Sequence, residues 1–315
     1  MLAQLLTFAW NAPSIDYHAL APEIIVVVTI VVLILLDAFT GERSRWASSS
    51  VAGIGLLVAL IPIATLAYDG VNRVMFGGGF VVDNYALILQ ALFLVAGYIV
   101  ILLSTNYIAE GDYHEGEYYT LLLSSILGMM VMASARDLIS IFIALELVSI
   151  PAYMLAAWRK RDLKSNEAGV KYFLLGVFAS AVMLYGMSLL YGVANSTLLI
   201  DIGKSIDLDG TFGAVQALAI VFVVVGFAFK VSAVPFHTWA PDTYEGAPTP
   251  VTAFLSVASK AAGFVALVVL VLTAFPEGRD VWQPFIWGLS ALTMTVGNIF
   301  ALRQTNFVRM IAYSS

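Results

Sequence analysis

The stretch GAVQALAIVFVVVGFAFKVSAVPF, residues 213–236, decides the fold class. It is apolar almost throughout, and at about 1.5 Å per helical residue it can cross a hydrocarbon layer of about 30 Å. Comparable runs recur along the whole chain, in which 61% of the 315 residues are hydrophobic and only 11% are charged. Only helices or a closed barrel satisfy their backbone in lipid, and these runs lack the alternation of barrel strands. The sequence predicts an all-α, polytopic transmembrane helical bundle.

Polar, Gly and Pro residues divide the chain into nine apolar runs and the beginning of a tenth helical run near residue 306. No connection is long enough to fold as a separate water-soluble domain, so we expect a single transmembrane domain over residues 1–315. The predicted spans lie near residues 20–38, 47–67, 82–105, 118–135, 138–157, 166–191, 213–236, 249–274 and 281–301.

Lysine and arginine in the connections predict the orientation, because they are enriched on the cytoplasmic side. One predicted side carries eight of them and the other carries four. The loop WRKRDLK, residues 158–164, is the strongest cytoplasmic mark, which predicts a periplasmic N-terminus. The eight are Arg43, Arg45, Arg159, Lys160, Arg161, Lys164, Arg303 and Arg309; the four are Arg73, Arg136, Lys204 and Arg279.

The composition argues against several kinds of site. The chain has no cysteine, and its three histidines, His18, His114 and His237, are too scattered to form a ligand cluster, so we expect no metal, haem or iron–sulfur centre. A net charge of −6 gives no basic face for nucleic acid. No Gly-rich strand-turn-helix motif of a dinucleotide site is present, so we expect neither a redox active site nor a bound cofactor on this chain.

Four charged residues fall inside the predicted spans: Glu146, Lys171, Lys230 and Lys260. A charge at the centre of a membrane helix costs roughly 2.5–3.5 kcal/mol and typically marks an ion or proton path. A lysine suits proton transfer because burial and a nearby carboxylate change the proton affinity of an amine in opposite directions. We predict that Glu146 and Lys230 form such a switch and that Lys260 receives the proton next.

Structural roles without transport are the alternative for each of these charges. Glu146 and Lys260 could form a static packing ion pair. Lys171 begins its span a few residues after Lys164, from where a long side chain can reach the interface.

Two prolines stand in the same relation to the buried charges. Pro151 follows Glu146 by five residues, and Pro235 follows Lys230 by five residues. Each proline frees the carbonyl of the residue immediately after the charge. We therefore predict wetted helix breaks at both prolines, with ordinary proline kinks as the alternative.

Beyond the second proline, the connection contains further polar residues. His237 could titrate near neutral pH and is a candidate proton relay, although an interfacial hydrogen-bonding role is equally open. Asp242 and Glu245 lie among proline and glycine residues, and we expect them to cap or shape this connection.

Three segments carry a family resemblance: FKVSAVPFHTWAPDTYEGAPTPVTAFLSVASKAAGF (residues 229–264), ALELVSIPAYML (144–155) and EAGVKYFLLG (167–176). They resemble the N subunit of proton-pumping NADH:quinone oxidoreductase, respiratory complex I, one of its antiporter-like membrane subunits. The resemblance runs from about residue 80 to the end of the chain, and the block VPFHTWAPDTYEGAPTPVTAF is highly specific.

This resemblance implies an antiporter-like fold of fourteen helices with two inverted five-helix repeats, each containing a broken helix. It divides the chain into N-terminal helices (1–110), a first repeat (117–275) and the start of a second repeat (281–315), in which the chain would be truncated. By match it assigns proton translocation to Glu146, Lys230 and Lys260, and Lys171 matches the additional lysine of the family's KYF motif.

The resemblance also implies the protein's surroundings. Its partners would be other membrane and peripheral subunits of complex I, carrying the flavin, iron–sulfur clusters and quinone, within the lipid bilayer of a bacterial plasma membrane. Subunits of multisubunit sodium/proton antiporters are the alternative, but they have a histidine at the position of Ser256, whereas Lys260 one turn later resembles the N subunit. A membrane anchor is a third class, but an anchor does not need four buried charges.

Overall fold

A computed structural model describes residues 15–40, 45–70, 72–109, 115–211 and 213–315. Within these ranges, nine helical segments are long and apolar enough to cross a membrane, and they match the nine predicted spans. Residues 1–14 and Arg43, which entered the N-terminal and charge predictions, lie outside the described residues.

The first half of the bundle comprises α1 (Ala21–Thr40), α2 (Arg45–Asp69), α3 (Asn84–Ala109), α4 (Glu115–Ser134), α5 (Leu138–Ala156) and α6 (Leu163–Ala194). Asp137 caps α5 by accepting hydrogen bonds from the amides of Ile139 and Ser140. Asp162 caps α6 in the same way through the amide of Lys164. Because such capped connections are short, consecutive helices lie side by side and antiparallel.

A small antiparallel hairpin, which the sequence pattern did not predict, precedes α3. Strands β1 (Arg73–Met75) and β2 (Phe80–Val82) pair with Val74 opposite Val81. Isolated bridges join Phe80 to Ala135 and Asp137 to Leu198. Three connections therefore meet at one end of the bundle.

The second half comprises α7 (Leu199–Ser205), α8 (Gly213–Lys230), α9 (Trp239–Gly246), α10 (Thr249–Phe254), α11 (Lys260–Thr273), α12 (Arg279–Arg303) and α13 (Phe307–Ser314). A π-helical turn, Leu255–Ser259, joins α10 to α11. The start of α13 confirms the tenth helical run predicted near residue 306.

The predicted helix break near Lys230 and Pro235 is present. Helix α8 ends at Lys230, Ser232 has a left-handed φ of 60°, and the peptide bond before Pro235 is cis. The predicted span continued to residue 236, because the apolar pattern does not change where the helix stops.

The predicted break at Pro151 is wrong, because α5 continues through this proline to Ala156. One neighbouring helix supports the backbone here: the Ser125 hydroxyl of α4 donates at 2.8 Å to the carbonyl of Val148, the residue after the Leu147 carbonyl that Pro151 frees. A proline removes only one hydrogen bond from a membrane helix, and such support lets the rest of the helix continue.

The packing places α4 among the most enclosed helices of the described bundle, in contact with α1, α2, α3 and α5. It packs extensively on α5, and α6 packs extensively on α8. Large apolar side chains such as Ile143, Phe178 and Leu272 are more than half exposed on the outer faces. An apolar exterior of this kind suits lipid as the surrounding solvent. The chain is therefore a multi-pass membrane protein, and Glu146 and Lys230 lie where α5 meets α6 and α8.

Candidate functional site

Lys230 is the last residue of α8 and is only 3% exposed. Its ammonium donates a hydrogen bond of 3.0 Å to the hydroxyl of Ser149 on α5. Ser149 is itself buried and donates to the carbonyl of Leu145 at 2.6 Å. A buried ammonium held by a hydroxyl rather than a carboxylate is only partly compensated for lost hydration. Its charge state therefore depends on what else comes near.

Glu146 lies three residues before Ser149 on α5, so both side chains occupy the same face of that helix. The Glu146 carboxylate is half-buried and accepts a 2.6 Å hydrogen bond from the hydroxyl of Ser180 on α6. Among the salt bridges of the described residues, none joins Glu146 to Lys230. The sequence analysis predicted that Glu146 and Lys230 act on each other directly. In the structure, the hydrogen-bond partner of Lys230 is Ser149 instead.

The two serines were missed by the sequence analysis, which considered only charged side chains. Ser149 could have been found from its spacing, since residues three apart on a helix share a face. Ser180 has no such signal, because only the packing of α6 on α5 brings it to Glu146.

The break after Lys230 is held by direct hydrogen bonds. The carbonyl of Ala228 accepts from the amide of Ala233 at 2.8 Å. The carbonyl of Phe229 accepts from the indole of Trp239 at 3.1 Å. These bonds fix the end of α8 and therefore the position from which the Lys230 side chain starts.

Lys260 is 4% exposed and begins α11 directly after the π-helical turn. Its ammonium lies 5.4 Å from the centre of the Tyr244 ring and donates to the hydroxyl of Ser315. A methyl group at Gly263, one turn further along α11, would lie 3.1 Å from Cγ of Lys230. Glycine at this position therefore lets α11 pack against the stem of Lys230.

A cavity of about 230 Å³ lies beside the helix break, and its lining includes Lys260, His237, Ser232 and Thr293. One water needs roughly 10–15 Å³ of such volume, so the cavity has room for several. Burial lowers the pKa of His237, against an opposing backbone hydrogen bond at Pro235. The cavity thus brings the candidate relay residue to the same space as Lys260.

Lys171 lies apart from this set. Its side chain is 42% exposed and forms ion pairs of 2.6 Å with Glu167 and with Asp242. This places it in an ionic cluster at one end of the bundle, which also includes Lys164, Glu245 and Arg309.

Asp242 and Glu245 both lie on α9 and supply carboxylates to this ionic cluster. Burial raises the pKa of Asp242, but the hydrogen bonds from Lys171 and Arg309 outweigh burial and leave the pKa below its ordinary value. Hydrogen bonds from Lys164 and Arg309 lower the pKa of Glu245. Both carboxylates therefore tie α9 to the starts of α6 and α13, a role beyond the predicted capping.

Among the described residues, no group of three or more His, Asp or Glu side chains could hold a metal ion.

A family model described as NADH:quinone oxidoreductase/Mrp antiporter, TM, matches residues 135–315. NADH-quinone oxidoreductase subunit N of Trichlorobacter lovleyi is 41% identical over 303 residues, which cover 96% of this chain and 62% of the relative. The chain thus spans about three fifths of the length of this curated relative.

Similar solved structures include the following two. A chain of respiratory complex I from Thermus thermophilus with bound aureothin is 34% identical, with a TM-score of 0.75 and coverage of 93% of this chain and 61% of that chain. A chain of the Mrp complex from Dietzia sp. is 20% identical, with a TM-score of 0.80 and coverage of 95% and 57%. At 20% identity the second likeness shows a shared fold alone.

Proposed function

This chain belongs to the NADH:quinone oxidoreductase/Mrp antiporter transmembrane family, and we propose that it acts as the proton-translocating N subunit of NADH:quinone oxidoreductase. The observation that carries the proposal is Lys230, a buried ammonium at a helix break whose partner is the Ser149 hydroxyl beside Glu146.

The proton path follows the order in which the side chains lie. Glu146 takes a proton between α5 and α6, and Ser149 joins it to the Lys230 amine. Lys260 takes the proton next, across the contact that Gly263 permits, and the cavity with His237 leads it onward. Each transfer moves one proton from a protonated group to an unprotonated one, so charge balances at every step.

The energy for the transfer must come from outside these residues. Moving one charge against 100 mV needs about 2.3 kcal/mol, which corresponds to a change of one to two pKa units at about 1.4 kcal/mol each. In this proposal, redox chemistry on partner subunits carrying flavin, iron–sulfur clusters and quinone supplies it. The chain itself then holds no redox active site.

The proposal includes the chain's place in the cell and its internal organisation. The ionic cluster and the basic loop 158–164 lie toward the cytoplasm, the N-terminus is periplasmic, and the membrane is a bacterial plasma membrane. Residues 117–275 form the first five-helix repeat and residues 281–315 begin the second. Lys171 contributes from the cytoplasmic cluster rather than from within the buried set.

A subunit of a sodium/proton antiporter is the second candidate, because the description of the matching family model also names the Mrp antiporter. Sequence favours the first candidate, with 34% identity to the complex I chain against 20% to the Mrp chain.

Purification of the intact assembly from native membranes tests the proposal. We expect the full-length protein to co-purify with subunits that show flavin and iron–sulfur absorbance, and NADH oxidation to drive proton uptake into reconstituted vesicles. Co-purification with membrane subunits alone, and exchange driven only by an imposed sodium gradient, would favour the antiporter.

A further inference from the structure

A second buried carboxylate lies outside the site described above. Glu23, in the first turn of α1, is 6% exposed. One of its oxygens accepts a 2.6 Å hydrogen bond from the Gln90 amide of α3. The same amide nitrogen donates to the Ser134 hydroxyl at the end of α4, at 3.0 Å. Three helices thus converge on one acidic side chain, and all three residues precede the part of the chain that the family model matches.

Two buried oxygens of this cluster have no hydrogen-bond partner: Oε2 of Glu23 and Oε1 of Gln90. These two oxygens belong to the Glu23 carboxyl and the Gln90 amide, which the 2.6 Å hydrogen bond already joins through their other polar atoms. An ionised carboxylate and an amide oxygen are both acceptors, so neither can satisfy the other. A proton on Oε2 would make it a donor for Gln90 Oε1, directly or through one water.

No cation compensates Glu23 within the described residues. Helix α3 carries no charged residue, and the acidic residues of α4 lie at its opposite end from Ser134. Asp37 lies fourteen residues further along α1, a rise of about 21 Å. Asp69 of α2 pairs with Arg73 at 3.8 Å. An ionised Glu23 would therefore be a buried charge without a cationic partner among the described residues, which is costly in a membrane protein.

The surface nearest to the cluster is the end of the bundle that carries the hairpin. Asp83 and Arg136 form a 3.5 Å ion pair there, with side-chain exposures of 28% and 14%. Gln90 follows Asp83 by two helical turns, about 10 Å deeper. Ser134 precedes Arg136 by two residues. The cluster thus lies below a polar surface with which a proton can exchange.

We propose that Glu23, with Gln90 and Ser134, is a proton-binding site of the N-terminal helices, separate from the path through Lys230. Its ligand is a proton on the Glu23 carboxyl, shared with the Gln90 amide oxygen. The site exchanges this proton with the end of the bundle at which Asp83 and Arg136 lie.

Infrared difference spectroscopy of the intact assembly tests this proposal. The probe is the carbonyl-stretch band of a protonated carboxyl group. We expect Glu23→Gln to remove one such band and the matched control Glu117→Gln, at an exposed position of α4, to keep it. Gln90→Leu should shift the band, because the carboxyl loses its amide partner. A Glu23→Gln spectrum that lacks only an ionised carboxylate band, or that is unchanged, overturns the proposal.

A second measurement needs no variant. Apolar carbodiimides modify protonated carboxyl groups within a membrane, and peptide mapping of the treated wild-type assembly locates the modified residue. Modification of the peptide that contains Glu23 supports the site. Modification of other carboxyl groups with Glu23 left unmodified overturns it.

Discussion

At the scale of single residues, the molecule holds its most buried amine with a neutral partner. The Lys230 ammonium meets the Ser149 hydroxyl at 3.0 Å, while Glu146 is held separately by Ser180 at 2.6 Å. Because the carboxylate and the amine each have a hydroxyl partner, they form no closed ion pair, in which neither group would release a proton readily. We propose that the two serines are positioning residues for proton transfer.

Replacing Ser149 by alanine tests this role. The buried amine would lose its hydrogen-bond partner, which costs about 1–3 kcal/mol. We expect proton translocation by the reconstituted assembly to slow roughly tenfold, since 1.4 kcal/mol corresponds to a factor of ten. Ser188→Ala, at an exposed hydroxyl that bonds only within α6, is the control and should have no effect. An unchanged rate in Ser149→Ala would remove Ser149 from the path.

The sequence was sufficient to find the charged members of the site but not their partners. Glu146, Lys230 and Lys260 were detectable because a charge in an apolar run is rare and costly. Ser180 was not, because hydroxyl groups are common in membrane helices and its contact depends on the packing of α6. Lys171 was placed too deep, because its partners Glu167 and Asp242 keep it half-exposed in the ionic cluster.

At the scale of helices, the interruption after Lys230 and the π-helical turn before Lys260 put both lysines at helix ends. Apolar periodicity predicted the spans but not these irregularities, because the hydrophobic pattern continues through them. Proline alone was an ambiguous signal: α5 continues through Pro151, whereas α8 ends before Pro235. The end of α8 is held by the Trp239 indole, which donates to the carbonyl of Phe229, and the segment after it by the Thr293 hydroxyl, which accepts from the amide of Val234. No local sequence pattern predicts these two bonds.

The contact between α8 and α11 gives a prediction at this scale. Gly263→Val would place its branched side chain against Cγ of Lys230 and the side chain of Val231, each already 3.1 Å from a single added methyl group. We expect the lysine to be displaced, the thermal unfolding temperature to fall and proton translocation to be lost. Gly192→Val is the matched control, because a methyl group there meets no atom within 4 Å. Equal translocation by both variants would show that the close approach of α11 is unimportant.

At the scale of the whole molecule, the ionic cluster ties α6, α9 and α13 together at one end of the bundle. Arg309 bridges Asp242 at 2.6 Å and Glu245 at 3.0 Å. Such partly exposed pairs contribute about 0.2–1 kcal/mol each. Because both carboxyl groups have pKa values below ordinary in the fold, their contribution is present above the unfolded pKa and is lost as the pH falls through the folded value.

Arg309→Gln tests the cluster through its pH dependence. We expect the variant to unfold at a lower temperature than the wild type at neutral pH. The difference should narrow as the pH falls below the ordinary pKa values of Asp and Glu and through the lower pKa values that both carboxyl groups have in the fold. Arg279→Gln, at the end of the bundle that carries the hairpin and with Gln283 as its side-chain partner, is the control. A difference that stays constant with pH would show that the ion pairs do not stabilise the fold.

The overall fold was the most predictable property of the chain. Nine spans, the beginning of a tenth helix and the family itself followed from apolar runs and from the block at residues 234–254. The hairpin at residues 73–82 was not predicted, because strands of three residues carry too little pattern. The inverted repeats and the orientation in the membrane remain predictions.

The central claim is that protons cross through Lys230, and a paired substitution measures this most directly. NADH-driven proton translocation is compared between assemblies carrying Lys230→Ala and assemblies carrying Lys204→Ala, a lysine whose side chain is 71% exposed. We predict that Lys230→Ala inserts normally and loses translocation, while Lys204→Ala translocates as the wild type does. Normal translocation by a fully inserted Lys230→Ala protein would contradict the account.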